Sequence, residues 1–193
     1  MPVLFVLVGY LAGSLPFSVW VSRLFCGKDV REGGSHHATA TNVLRQSGWP
    51  AGLLVLLLDF SKGFLPVFAA TRFAGSEWWL PALTGAAVVA GHIWPLFAGF
   101  RGGMGLASSG GACLAISPPA LAIVIVGAVI LLFLIRHAAR AMLVAAILAG
   151  PALWLFQFPA RVLLFVFLIS VLVGFRYASD WRREYRELWF DRG

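Results

Sequence analysis

The chain has 193 residues, of which 60% are hydrophobic and only 12% charged, and its net charge is +7. Soluble domains are nearer half apolar and about a quarter charged, so a disordered chain, a solenoid of polar repeats and an ordinary soluble enzyme are excluded. A mean hydropathy of +0.87, with 16 Phe and 8 Trp, leaves an integral membrane protein, taken as one membrane domain over residues 1–193.

The bases sit between the apolar runs and do not cluster on one soluble face. They therefore point to orientation in a bilayer and to a local anion site, not to nucleic acid. Cys26 and Cys113 make neither a disulfide framework nor a metal-ligand spacing.

In chain order, the apolar run at 3–24 lacks a basic leader and a small-residue cleavage site, so it reads as a first span. A polar stretch follows at 26–45. Further spans are predicted over 50–71 and 80–100, with Trp78 and Trp79 at an interface between them. Residues 106–117 are short and rich in small side chains, which predicts a half-helix packed inside the bundle. Pro118 and Pro119 break the chain. Apolar segments follow at 120–135, 142–156 and 162–175, and the charged tail at 176–193 reads as an amphipathic surface helix. A crossing needs about 20 apolar residues. The pattern predicts an all-α, polytopic membrane protein with about seven transmembrane helices and motif-bearing cytoplasmic loops. Arg23, Lys28, Arg31, Arg45, Arg101, Arg136, Arg140 and the tail arginines fall on one side if 106–135 is a hairpin. That side is cytoplasmic, which puts the N-terminus outside and the C-terminus inside.

Three segments carry candidate chemistry. Residues 33–45 run from glycines (Gly33, Gly34) through hydroxyls (Ser35, Thr39, Thr41) to Asn42 and Arg45. Backbone N–H groups, hydroxyls and a guanidinium are what an anion needs, although a flexible loop capping the next helix has the same composition. Arg101, Gly102, Gly103 and Gly105 precede a helix, where glycines let amides approach a phosphate and the helix N-terminus attracts it; close helix packing is the alternative. Asp59 and Lys62 lie three residues apart inside an apolar run, where charges must face the bundle interior and find partners. His92 reads first as a packing residue. His36 and His37 have no carboxylate or cysteine cluster to make them a metal site.

Taken together, these segments resemble the bacterial acyl-phosphate:glycerol-3-phosphate acyltransferases, the PlsY family, over nearly the whole chain. The resemblance is carried by Gly13-Ser14-Leu15-Pro16, by Gly34-Ser35 with Ala40-Thr41-Asn42-Val43 and Arg45, by Leu58-Asp59-Phe60-Ser61-Lys62-Gly63, and by Gly91-His92 with Pro95, Phe97, Gly99-Phe100-Arg101-Gly102-Gly103 and Gly105. It implies a seven-helix inner-membrane enzyme. The enzyme would move an acyl group from acyl phosphate to the first hydroxyl of glycerol 3-phosphate, without metal, cofactor or acyl-carrier protein. The resemblance assigns Ser35, Arg45 and His92 to catalysis. To substrate binding it assigns Ser14, Gly34, Thr41, Asn42, Lys62, Arg101, Gly102, Gly103, Gly105 and Arg183. Arg45 and Arg101 are expected to hold phosphate, the glycine amides to cradle it, and Thr41 with Asn42 to orient the polyol.

The chain departs from the family pattern at His36, His37 and Thr39, where that pattern has Gly, Asn and Gly. It departs again at Met104, where a lysine is expected, at Tyr177, where a histidine is expected, and at Asp180, where an asparagine is expected. Asp180 would repel an anion unless paired, with Arg176 or Arg183 the nearest candidates. A paralogue that binds a lipid phosphate or a partner without turnover is the alternative reading.

Overall fold

The computed structural model describes residues 2–73 and 75–182, and among these the regular structure is helical. The first apolar run makes two helices, α1 (Pro2–Gly13) and α2 (Phe17–Cys26). Proline has no N–H and clashes with a preceding helical turn, so the chain breaks at Pro16. The polar stretch after α2 contains a 3-10 turn at Val30–Glu32 and the short helix α3 (Ala40–Ser47), which Thr39 caps by accepting from the Asn42 N–H at 3.2 Å. Helix α4 (Trp49–Phe73) follows directly.

Helix α5 (Leu80–Ile93) is shorter than the apolar run predicts, because Pro95 stops it and the chain turns through a 3-10 segment at Leu96–Ala98. The remaining helices are α6 (Leu106–Ile116), α7 (Pro118–Ile135), α8 (Ala138–Leu155) and α9 (Ala160–Ala178). Among the described residues, six segments are long and apolar enough to cross a bilayer, the first being α1 and α2 together. With 11 residues, α6 rises only about 16 Å and cannot cross alone. It lies inside the bundle, as the half-helix reading anticipates, and forms a hairpin with α7 around Ser117. The expected tail helix lies largely outside the described residues.

The principal pairings are α4 with α6, α1 with α5, and α8 with α9. The first two are backbone-close. A Cβ on Gly111 would fall on the Phe60 carbonyl, one on Gly63 would fall on the Ser108 carbonyl, and one on Gly13 would fall on that of Val88. Small residues give membrane helices the contact area that the hydrophobic effect does not supply there. Gly111→Val is therefore expected to cost about 3 kcal/mol through overpacking, read as a drop in the melting temperature of the detergent-solubilised protein. Helix α7 is the least integrated span: it contacts α6 and α8, and of its residues only Ala120 is buried.

Candidate active site

The first loop is a folded unit. Asn42 is fully buried. Its amide donates to the carbonyls of Val30, Gly33 and His37 at 2.9, 3.1 and 3.0 Å, and its oxygen accepts from the Ser35 N–H at 3.2 Å. Gly34 has φ 57° and presses against that same oxygen. Asn42 and Gly34 therefore shape the loop, with the Asn42 amide fully engaged inside it. His36 also sits at φ 57°, a left-handed conformation uncommon for residues other than glycine.

Arg31 buckles this loop to the turn after α5. It grips Asp29 through both carboxylate oxygens at 3.0 and 2.8 Å and donates to the Ala98 carbonyl at 2.7 Å. The Arg31 hydrogen bonds hold the Asp29 carboxyl down to about 2.

The glycine-rich turn folds back along the end of α5. Gly102 N–H donates to the Ile93 carbonyl at 3.2 Å, and Gly103 N–H donates to that of His92 at 3.1 Å. These two amides satisfy the terminal carbonyls of α5. Here, then, their N–H groups are engaged within the turn, while both glycines border a small space beside Lys62 and Arg101. Gly105, at φ 88°, starts α6 and aims the first turn of that helix inward.

Loop, turn and helix ends enclose a cavity of about 510 Å3. Ser35, Thr41, Arg45, His92 and Gly105 line it, together with Leu106 and Ala107 at the start of α6. One nitrogen of Arg45, Nη2, is buried with no hydrogen-bond partner among the described residues. His92 separates this cavity from a much smaller one of about 10 Å3, lined by Lys62, Arg101, Gly102 and Gly103, about the space of one water. Arg101 is exposed and borders that small space, so it does not join Arg45 in the large cavity.

Lys62 pairs with Asp59 at 2.7 Å and donates to the Leu15 carbonyl at 2.8 Å, a group exposed by the break between α1 and α2. His92 Nδ1 lies 3.6 Å from Asp59. Ser14 is fully buried, and its hydroxyl donates to the Tyr10 carbonyl at 2.8 Å, so it borders neither cavity. Arg183 lies outside the described residues.

A third cavity, apolar and of about 300 Å3, runs between α6, α7, α8 and α9. It shares Leu106, Leu132 and Met142 with the polar cavity, so a polar head and an apolar tail have contiguous room. Met104 and Tyr177 line the polar cavity and belong to one apolar cluster with Val89, Ile93, Ala139 and Val173. Asp180 meets a partner that the sequence does not point to: its Oδ2 is 2.6 Å from His37 Nε2. The two residues are 143 positions apart, and no local pattern links them.

The sequence profile described as "Glycerol-3-phosphate acyltransferase" matches residues 3–187. Glycerol-3-phosphate acyltransferases of Aquifex aeolicus (strain VF5) and Shigella flexneri are 37% and 35% identical to this chain. The first match covers 92% of each chain, and the second covers 95% of this chain and 90% of the relative. Among solved structures, the glycerol 3-phosphate form of PlsY, an integral membrane glycerol 3-phosphate acyltransferase, superposes with a TM-score of 0.84 at 35% identity, over 94% of this chain and 90% of that one. Its lysophosphatidic acid form gives 0.81 at 33% identity over the same shares. With its profile, its close relatives and its three-dimensional neighbours in agreement, the chain belongs to the glycerol-3-phosphate acyltransferase family.

Proposed function

We propose that the protein transfers a fatty acyl group from acyl phosphate to the sn-1 hydroxyl of glycerol 3-phosphate, giving lysophosphatidic acid and inorganic phosphate. The observation that carries this reading is the buried Arg45 nitrogen without a partner among the described residues, in a cavity bordered by Ser35, Thr41 and His92 that adjoins an apolar one. A buried donor without an acceptor is costly, and a phosphoryl oxygen supplies the acceptor. The α6 N-terminus adds N–H groups left unpaired by helix geometry, while Ser35 and Thr41 offer hydroxyls to the polyol.

The chemistry asks little more of the protein. The hydroxyl oxygen of glycerol 3-phosphate attacks the acyl carbonyl carbon, the bond from that carbon to the phosphate oxygen breaks, and the departing phosphate takes the hydroxyl proton. The donor is already activated, so positioning and charge screening provide the acceleration. Arg45 screens charge, Ser35 orients the reacting groups, and Asp59, Lys62 and His92 hold the floor of the site. The whole chain serves this site as one membrane domain of the bacterial inner membrane. Its N-terminus lies outside and its C-terminus in the cytoplasm, in keeping with the bases on the loop side.

Purified protein given acyl phosphate and glycerol 3-phosphate is expected to release inorganic phosphate and lysophosphatidic acid in equal amounts. No product from that pair would refute the reaction, and product only from a thioester donor would replace acyl phosphate. Met104→Lys places a cation on the cavity wall. It is expected to raise kcat/KM about tenfold, the worth of one charge-assisted hydrogen bond of about 1.5 kcal/mol, measured by steady-state kinetics.

A further inference from the structure

Carboxylates beside a phosphate site need a physical explanation: Asp59 lines the cavity and is paired with Lys62 at 2.7 Å, and the second such group is Asp180. It is buried at 6% exposure, yet it does not line the polar cavity, whereas His37 does. The imidazole ring stands between the acid and the space where an anionic substrate would lie. His37 itself is buried at 6% exposure.

The proton positions on this ring follow from its neighbours. Arg176 Nη2 lies 2.8 Å from His37 Nδ1, and a guanidinium only donates. Nδ1 must therefore be the acceptor, Nε2 carries the hydrogen, and that hydrogen points at Asp180 Oδ2, 2.6 Å away. Both ring nitrogens are thus engaged. Arg176 also donates from Nε to the Gly103 carbonyl at 3.2 Å, while Ala38 N–H donates to the Gly102 carbonyl at 3.4 Å. The first loop, the glycine-rich turn and the end of α9 are thus joined by the sequence Gly103 carbonyl, Arg176, His37, Asp180.

We infer that His37 is a positioning residue with two linked tasks: it screens the Asp180 carboxylate from the phosphate cavity, and it fixes Arg176 so that the glycine-rich turn stays seated against the first loop. This inference rests on the reading of the cavity as a glycerol 3-phosphate site. His37 is not the general base, because neither nitrogen is available to a substrate hydroxyl.

The test uses the purified full-length protein and the variants His37→Leu, His37→Gln, Asp180→Leu and the double variant His37→Leu/Asp180→Leu. The readouts are kcat, KM for glycerol 3-phosphate, the melting temperature without ligand and its rise on adding glycerol 3-phosphate. His37→Leu uncovers the acid, so KM is expected to rise about tenfold with kcat changed less than about threefold, the pattern of lost uniform binding. The double variant removes the acid as well and is expected to recover most of the lost affinity, stopping short of the parent KM because Arg176 still lacks the imidazole. Glutamine carries both an acceptor and a donor, the two roles that Arg176 and Asp180 ask of this side chain, and His37→Gln is expected to recover to within about threefold of the parent KM.

A purely structural role would lower the ligand-free melting temperature and leave KM in place. An unchanged KM in His37→Leu, equal impairment of the single and double variants, or failure of glutamine to restore binding would each overturn the inference. If the parent shows no turnover but glycerol 3-phosphate still raises its melting temperature, the proposed reaction fails, and the ligand-induced shifts of the four variants still decide the role of His37. If neither turnover nor a shift occurs, both readings fall.

Discussion

Arg45→Ala is expected to lower turnover by about 100-fold or more while the protein still inserts and packs, the scale set by removal of one preorganised donor at a developing charge. Arg45 sits in the last turn of α3 and lines the polar cavity. Its Nη2 makes no hydrogen bond to the described residues, so truncation removes little that the fold depends on and most of what a phosphate would meet. Arg45→Lys keeps the charge but loses the planar fork, and an intermediate rate is expected. Steady-state kinetics together with the shift in melting temperature on adding glycerol 3-phosphate check both variants. Turnover of Arg45→Ala equal to that of the parent would remove Arg45 from the site.

The second large effect is expected at the buried ion pair. Lys62 and Asp59 have side-chain exposures of 5% and 3%, and Lys62 also bonds the Leu15 carbonyl and lies 5.5 Å from the Phe17 ring centroid. Lys62→Met strands a carboxylate in the bundle and is expected to cost about 3–5 kcal/mol. Asp59→Asn/Lys62→Met removes the stranded charge and is expected to recover a large part of that loss. Chemical or thermal unfolding in detergent compares them, and equal stability of the single and double variants would show that the unpaired charge is not the cause.

Much of this architecture can be read locally. The three-residue spacing of Asp59 and Lys62 announces their pairing, and the small residues after Gly105 announce an enclosed short helix, whereas the breaks at Pro16 and Pro95 interrupt runs that hydropathy alone reads as continuous over 3–24 and 80–100. The first two features depend on neighbours within one or two turns. The site was legible only in part. Ser35, Thr41, Arg45, His92 and Gly105 do meet in one cavity, as their residue types suggest. What composition cannot tell is which amides are already occupied: Gly102, Gly103 and Asn42 look like ligands for an anion, yet each completes the hydrogen bonding of the backbone around it. Nor can it tell that Arg101 faces a different space from Arg45. The contact between His37 and Asp180 closes a loop of 143 residues and depends on how α9 returns to the first loop, which no motif encodes.

The loose seating of α7 has a consequence for how such an enzyme is supplied. One wall of the apolar cavity is a helix that buries only Ala120, so its far side faces hydrocarbon. A greasy donor need not leave the leaflet to reach a compartment only one helix away. Its effective abundance is then a density in the plane of the bilayer, not a molarity in water. The other cavity, lined by Ser35, Thr41 and Arg45, suits a water-soluble acceptor, so the two reactants need share no common solvent before they meet.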